Sequence, residues 1–159
     1  MKIKSEFKNI KEIFYDFDGV FTNNKFYLSS KGEEFYYFDK SDSLAISYLK
    51  LMGFKQHILT SEKSNIVKLR SKKMGIGLIS TNNKFLKLKN YLKNKKNISL
   101  NEIAFIGNDL NDLEIIKNIK FSFCPKDSDP NIIKYSKIIL KKNGGEGVIK
   151  EFFRKIISL

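Results

Sequence analysis

The 159-residue chain is long enough to bury a core, because 42% of its residues are hydrophobic. Its 30 Lys and Arg against 17 Asp and Glu give a net charge of +13, but the basic residues are spread along the chain and accompany no zinc-finger, heptad or RNA-binding signature, which argues against a nucleic-acid binder. No apolar run resembles a membrane span or a secretion signal, and a single cysteine, Cys124, excludes an intrachain disulfide, so we expect a cytoplasmic protein that does not contact membranes.

The first half of the chain alternates predicted strands and helices. A buried strand over residues 10–15 ends at Asp16. Aromatic-rich runs on both sides of a Ser-Ser-Lys-Gly segment predict a hairpin over about 26–38. The remaining elements of this half are a helix over 42–52, a strand over 55–59, a helix over 64–74 and a short strand over 77–79.

The second half continues the alternation. It predicts a Lys-rich helix from about 82 to 95, a capping box from Ser99 to Glu102, strands at 103–106, 121–123 and 138–140, helices at 109–117 and 130–135, and a C-terminal helix after Gly147. Strands that alternate with helices indicate an α/β fold with a doubly wound, mostly parallel, Rossmann-like sheet. No linker divides the chain, so we expect a single domain over residues 1–159 with a small β-hairpin insertion.

Polar clusters follow several of the predicted strands. They are Asp16-Phe-Asp18-Gly19, Thr60-Ser61, Gly107-Asn108-Asp109 and Asn82-Asn83-Lys84. Because ligands of doubly wound sheets bind beyond the carboxyl ends of the strands, we expect these distant segments to share one crevice.

The two acids of the first cluster suit phosphoryl transfer. Asp16 and Asp18 lie two residues apart, so an extended chain points both the same way, and close carboxylates favour a bound cation such as Mg²⁺. One aspartate can act as the nucleophile and the other as general acid and base, while Thr60 and Lys84 hold phosphate oxygens. The alternative is a solvated turn or a calcium loop, although an EF-type loop requires further acidic ligands that this segment lacks.

These motifs, in this order, resemble those of the haloacid dehalogenase superfamily of phosphatases, over residues 10 to about 153. The sequence looks most like the small branch without a cap domain, which hydrolyses 3-deoxy-octulosonate 8-phosphate and its nine-carbon relatives. The features that support this branch are Gly32-Glu-Glu34, Phe38 followed by Ser41-Asp42, and Gly144-Gly-Glu-Gly-Val148.

The resemblance implies a role for each motif residue. Asp16 would be nucleophile and metal ligand, and Asp18 would be the acid and base and would bind Mg²⁺ through its carbonyl. Phosphate would be held by Thr60, Ser61 and Lys84, and Asp112 would steady the metal ligands. The resemblance further implies a homotetramer, with the hairpin at its centre and a neighbour's C-terminal segment helping to close the site.

Two departures from the octulosonate pattern point to the nine-carbon branch. That pattern usually reads Thr-Gly-Arg and Asp-Gly where this chain has Thr60-Ser61-Glu62 and Asp42-Ser43. The nine-carbon branch implies substrate-binding roles for Ser43, Glu62, Arg70 and Lys73. The alternative is that Glu62 is a solvated acid at a helix N-terminus and that Arg70 and Lys73 lie on an exposed helix face.

A third departure concerns the metal. The residue after Gly107 is commonly Asp in this family, but here it is Asn108. An amide oxygen can bind Mg²⁺ without adding charge, and Asp109 is an alternative ligand.

The leading hypothesis is therefore a Mg²⁺-dependent phosphatase that hydrolyses a nine-carbon sugar-acid 9-phosphate, an N-acylneuraminate or deaminoneuraminate, as in sialic acid biosynthesis, through an aspartyl-phosphate. The runner-up is the 3-deoxy-D-manno-octulosonate 8-phosphate phosphatase. A third hypothesis is a non-catalytic regulatory or binding module of the same fold, and a nucleic-acid binder is the last.

Overall fold

A computed structural model describes residues 1–95 and 97–158 of the chain. The strands are β1 (Lys2–Ile3), β2 (Glu12–Tyr15), β3 (Tyr27–Leu28), β4 (Glu34–Phe35), β5 (Lys55–Thr60), β6 (Gly77–Ser80), β7 (Ile103–Ile106), β8 (Phe121–Cys124), β9 (Ile138–Ile139) and β10 (Ile157–Ser158). The α-helices are α1 (Lys40–Leu51), α2 (Asn65–Met74), α3 (Lys84–Lys93), α4 (Leu113–Asn118), α5 (Pro130–Tyr135) and α6 (Val148–Ile156).

The main sheet has six parallel strands in the order β6-β5-β2-β7-β8-β9. The chain builds the sheet outward from β2 in one direction and later returns to the other side through β7. The strand order therefore reverses at β2, which is where doubly wound sheets bind their ligands. The predicted α/β fold with a mostly parallel sheet is confirmed, and the 3-10 and α-helical segments cover both faces.

Two apolar clusters hold the helices against the sheet. Because side chains alternate along a strand, Ile13 and Tyr15 of β2 point into one cluster and Phe14 into the other. The first cluster takes buried residues from α1, α2 and α6, and the second from α3, α4 and α5. All four residues of β2 are buried, as expected for a central parallel strand. Among the described helices, none combines the length and apolar character needed to span a bilayer.

Local hydrogen bonds account for several differences from the predicted boundaries. The helix predicted from about residue 82 begins at Lys84, because the side chain of Asn83 caps it by accepting from Leu86 N–H at 3.0 Å. The helix predicted over 109–117 is a 3-10 turn at Leu110–Asp112 followed by α4, and Asp109 caps that turn. The antiparallel pairing of β1 with β10 was not predicted.

The first turn of α1 contains a buried carboxylate. Asp42 is 1% exposed, and its Oδ1 accepts a hydrogen bond from the backbone N–H of Lys150 in α6 at 2.9 Å. Its Oδ2 has no hydrogen-bond partner among the described residues. Burial, with a contribution from the charge of Asp39, raises the pKa of Asp42 to about 7.

We expect Asp42→Asn to flatten the pH dependence of stability. A carboxyl whose pKa is raised by folding stabilises the native state below its unfolded pKa of about 4, and that stabilisation is lost as the pH rises through its folded pKa of about 7. The free energy of unfolding of the native protein should therefore fall over this range by up to about 4 kcal/mol, at about 1.4 kcal/mol per pKa unit. Asn keeps the acceptor for Lys150 N–H and does not titrate.

Urea unfolding of both proteins at about pH 5 and about pH 8 measures this difference. The variant should be less sensitive to pH than the native protein. Equal losses of stability in the two proteins would contradict the assignment of this titration to Asp42.

Candidate active site

Three neighbouring strands deliver polar residues to one crevice at the carboxyl edge of the sheet. Asp16 follows β2, Thr60 ends β5 and Asn108 follows β7 by two residues. The backbone N–H of Asp16 donates to the carbonyl of Ile106 at 2.8 Å, which extends the β2–β7 pairing to the site itself. The crevice is a cavity of about 60 Å³ lined by Asp16, Asp18, Asn24, Thr60, Ser61, Asn108, Asp109 and Asn111.

A buried lysine joins Asp16, which lines this cavity, to the buried carboxylate of Asp112. Nζ of Lys84 lies 2.7 Å from Oδ1 of Asp16 and 2.8 Å from Oδ1 of Asp112. The other oxygen of Asp112 accepts from the backbone N–H of Asn108 at 2.9 Å, so Asp112 fixes both the lysine and the loop after β7. The lysine from the first turn of α3 therefore reaches the predicted nucleophile, as the sequence predicts.

The charges of this cluster are strongly coupled. Burial by itself lowers the pKa of Lys84, but the carboxylates of Asp16 and Asp112 outweigh burial, and the net pKa is raised. Burial also raises the pKa of Asp16, and the ion pair with Lys84 opposes that rise. Two carboxylates and one ammonium carry a net charge of −1 when all three are ionised. In that state a cation beside Asp16 would be electrostatically favourable, although burial and the charge of Asp16 raise the pKa of Asp112 to about 8.

Asp18 sits in a tight loop over the cavity. Its Oδ1 accepts a hydrogen bond from the hydroxyl of Thr22 at 3.1 Å, and Gly19 supplies the positive φ of 73° that turns the chain. Gly144 packs so closely on this loop that a Cβ there would lie 2.4 Å from the carbonyl oxygen of Gly19. Burial, and to a smaller extent the charge of Glu62, raise the pKa of Asp18, which favours the protonated form that a general acid needs.

Three oxygens converge beside Asp16. The side-chain oxygen of Asn108 points at the carbonyl oxygen of Asp18 at 2.7 Å and at Oδ2 of Asp16 at 3.2 Å. Oxygens this close repel one another unless a proton or a cation lies between them. With the amide turned over, its nitrogen would donate to both oxygens and its oxygen would accept from Nδ2 of Asn24 at 3.0 Å.

This set of donors fits Mg²⁺. Magnesium prefers oxygen ligands, and adjacent ligands of an octahedral ion lie about 3 Å apart. Over residues 1–95 and 97–158, no group of three or more His, Cys, Asp or Glu side chains is placed to share a metal ion. A cation here would thus be held by Asp16, the carbonyl of Asp18 and the amide of Asn108. The predicted alternative ligand, Asp109, also lines the cavity, but its Oδ1 accepts from Leu110 N–H at 2.7 Å.

The opposite wall of the cavity offers hydroxyl groups. The hydroxyl oxygen of Thr60 accepts from Glu62 N–H at 3.0 Å, which leaves its proton free to donate into the cavity. Ser61 lies beside it, and the amide nitrogen of Asn111 donates to its hydroxyl at 3.4 Å. Asn111 and Asn24 line the cavity but were not predicted as site residues. Asn24 has a positive φ of 60°, a conformation in which Asn is more frequent than most other non-glycine residues, and this preference is the sequence feature that could have drawn attention to it.

The four residues predicted to bind substrate, Ser43, Glu62, Arg70 and Lys73, have different surroundings in the structure. Oε1 of Glu62 accepts from the backbone N–H groups of Lys63 and Ser64, both at 2.7 Å, as an acid near a helix N-terminus does. Arg70 is half-buried and donates to the hydroxyl of Ser43 at 3.0 Å, so it does not lie on a fully exposed helix face. Lys73 is exposed.

Comparisons with known proteins indicate the family of this chain. A family model described as haloacid dehalogenase-like hydrolase matches residues 48–152. The 3-deoxy-D-manno-octulosonate 8-phosphate phosphatase KdsC of Escherichia coli strain B is 25% identical over 151 residues, which cover 94% of this chain and 80% of that protein.

Solved structures of similar proteins share the fold. A 3-deoxy-D-manno-octulosonate 8-phosphate phosphatase from Moraxella catarrhalis, solved with a magnesium ion, a phosphate ion and a KDO molecule, has a TM-score of 0.89 at 30% identity, over 95% of this chain and 87% of that one. The cobalt-bound form of a deoxy-D-mannose-octulosonate 8-phosphate phosphatase from Haemophilus influenzae has a TM-score of 0.87 at 25% identity, over 96% of this chain and 90% of that one.

Proposed function

Because the chain belongs to the haloacid dehalogenase-like hydrolases, we propose that it is a Mg²⁺-dependent phosphatase that removes the terminal phosphate of a 3-deoxy-2-ulosonic acid. The observation that carries this proposal is the buried contact between Lys84 and Asp16 beside the converging oxygens of Asp18 and Asn108. The residues proposed as nucleophile, acid and cation ligands line one small cavity, and Lys84 contacts the proposed nucleophile.

The reaction runs in two displacements. A carboxylate oxygen of Asp16 attacks phosphorus, the bond from phosphorus to the sugar oxygen breaks, and Asp18 gives its proton to the departing alkoxide. Asp18 then takes a proton from water as the water oxygen attacks the phosphorus of the aspartyl-phosphate, which releases phosphate and restores Asp16. Lys84 and Thr60 hold the transferring group, and bound Mg²⁺ supplies charge that offsets that of the phosphate.

The eight-carbon ester is the favoured substrate. The names of the relatives from Escherichia coli, Moraxella catarrhalis and Haemophilus influenzae all contain a deoxy-octulosonate 8-phosphate, which supports the runner-up of the two sugar-acid hypotheses. The nine-carbon 9-phosphate, and with it a place in sialic acid biosynthesis, is the second candidate. It is supported by Glu62, whose charge acts on Asp18 where the octulosonate pattern has an arginine.

Phosphate release from a panel of esters, with Mg²⁺ present, tests the substrate. We expect kcat/KM for 3-deoxy-octulosonate 8-phosphate to exceed that for N-acylneuraminate 9-phosphate and for simple hexose phosphates. A preference for the nine-carbon ester would reverse the order of the two candidates. A chain that hydrolyses none of the esters would instead be the non-catalytic module.

The hairpin is the proposed assembly surface. On its solvent side, Tyr27 and Phe35 pair across β3 and β4 and remain 79% and 56% exposed, and burying such rings is the main gain of subunit association. We expect a single-domain subunit in a cytoplasmic homotetramer. The particle mass in solution tests the assembly, and a monomeric mass would contradict it.

A further inference from the structure

Asn108 differs from the other proposed cation ligands because its side chain has two unlike ends. A carboxylate presents an oxygen whichever way it is turned, whereas an amide must turn its oxygen toward the cation and its NH₂ group away. Asn108 is 5% exposed, so water has little access to an NH₂ group turned away from the cation. The direction of this amide therefore depends on the polar group that lies at its other end.

The side chain of Asn24 lies at that end. Its Nδ2 is 3.0 Å from the end of the Asn108 amide that points away from Asp16, and both asparagines line the cavity. A Cβ on Gly19 would overlap the amide of Asn108 and would lie 2.9 Å from Nδ2 of Asn24. The two amides can meet because residue 19 has no side chain.

The backbone of Asn24 is fixed to the loop that carries the proposed acid. Its N–H donates to the hydroxyl oxygen of Thr22 at 3.2 Å, and the same hydroxyl donates to Oδ1 of Asp18 at 3.1 Å. The side chain of Asn24 is exposed, so water can satisfy whichever end of its amide faces outward. Asn24 can therefore present either its nitrogen or its oxygen to Asn108.

Two arrangements satisfy the hydrogen bonds of this amide pair. In the first, the NH₂ group of Asn108 donates to Asp16 and to the carbonyl of Asp18. The oxygen of Asn108 then accepts from Nδ2 of Asn24. In the second, the oxygen of Asn108 points toward Asp16 and Asp18, and its NH₂ group faces Asn24, which must offer its own oxygen. Only the second arrangement provides three oxygens for a cation.

We propose that Asn24 is a positioning residue for the cation site, whose side-chain oxygen accepts from the NH₂ group of Asn108 and so holds the oxygen of Asn108 toward Mg²⁺. This inference rests on the cation site of the proposed function and deepens it. The two amides turn over together when the site fills. The affinity for Mg²⁺ thus depends on which atom position 24 presents to Asn108.

Asn24→Asp tests this role, because a carboxylate can only accept and favours the arrangement that binds Mg²⁺. Asp has nearly the size of Asn and also tolerates the φ of 60°. We expect the substitution to lower the Kd for Mg²⁺ about tenfold, measured by isothermal titration calorimetry without substrate. Asn23→Asp is the matched control. It adds the same charge at the neighbouring exposed residue, keeps the acceptor for Lys25 N–H and should change Kd less than about threefold.

The same substitution in an Asn108→Asp background separates pairing from charge. Position 108 then has no NH₂ group to donate, so Asn24→Asp should no longer lower the Kd for Mg²⁺. A tenfold gain in both backgrounds would mean that the new carboxylate binds the cation directly or acts through its charge alone. That result would overturn the positioning role.

Mg²⁺ binding and catalysis can fail separately. If Asn24→Asp tightens Mg²⁺ binding as expected but the native chain hydrolyses no ester, the positioning role stands and the proposed phosphatase falls. If the native chain hydrolyses esters with Mg²⁺ while Asn24→Asp and Asn23→Asp have equal Kd values, the phosphatase stands and the positioning role is wrong. A native chain that binds no Mg²⁺ would overturn both the cation site and the role of Asn24.

Discussion

Asp16→Asn is expected to abolish phosphate release, lowering kcat at least about a thousandfold. The amide is nearly the same size as the carboxylate but is not a nucleophile, so the enzyme cannot form the phosphorylated intermediate. Asn can still accept hydrogen bonds from Phe17 N–H and from Lys84, which lie 2.7 Å from Oδ1 of Asp16. The variant should therefore fold, and phosphate release measured with Mg²⁺ tests it.

Two controls accompany this variant. Glu114→Gln removes an exposed carboxylate from the first turn of α4 and should retain native activity. Thermal unfolding of Asp16→Asn should show a cooperative transition like that of the native protein. Activity of Asp16→Asn within tenfold of native would rule out Asp16 as the nucleophile.

Lys84→Met is expected to lower both stability and activity. Lys84 is 2% exposed, and its removal leaves the carboxylates of Asp16 and Asp112 buried without their cation. Breaking a buried ion pair from one side typically costs about 3–5 kcal/mol of unfolding free energy. Because Lys84 is proposed to hold the transferring phosphate, its loss should lower kcat about a hundredfold or more.

Lys87→Met provides the matched control on the same helix. Lys87 is exposed, so its loss should change the free energy of unfolding by no more than about 0.5 kcal/mol. Urea unfolding in metal-free buffer, with phosphate release measured in parallel, compares the two variants. Equal effects of Lys84→Met and Lys87→Met would mean that the buried ion pairs are not important to fold or catalysis.

The position of the site could be predicted from the sequence because it depends on chain order and strand polarity. Asp16 ends the first buried strand, and Thr60 and Asn108 end or follow two others, so parallel pairing alone brings them together. The structure adds that these strands, β2, β5 and β7, are immediate neighbours. Lys84 was harder to place, since it reaches Asp16 only through the way α3 packs on the sheet.

The orientation of individual side chains could not be predicted from the sequence. Glu62 follows Ser61 of the site and carries a carboxylate that could accept hydrogen bonds from sugar hydroxyls. In the structure, one of its oxygens instead accepts hydrogen bonds from the backbone of the loop before α2. Tyr36 and Tyr37 look equivalent in sequence, but Tyr36 is half-buried and Tyr37 is 74% exposed. In both cases the decisive contacts come from backbone geometry that residue types alone do not specify.

Long-range pairing was also missed. Glu12 interrupts the apolar run of β2 and is nevertheless buried. Its Oε2 accepts a hydrogen bond from the hydroxyl of Tyr91 at 2.8 Å and lies 3.1 Å from Nε2 of His57, and both residues are far away in sequence. The β1–β10 pair joins residues near opposite ends of the sequence, and each strand is only two residues long. Such short strands show no periodicity from which they could be predicted.

The aspartyl-phosphate itself provides the most direct test of this account. The enzyme is mixed with Mg²⁺ and a sugar-acid phosphate that it hydrolyses, and the reaction is quenched in acid within the first turnover. It should yield one phosphorylated peptide, which mass spectrometry maps to Asp16. Asp16→Asn treated in the same way should yield none. Phosphate attached to another residue, or a native enzyme that turns over the ester with no phosphorylated peptide at any quench time, would contradict nucleophilic catalysis by Asp16.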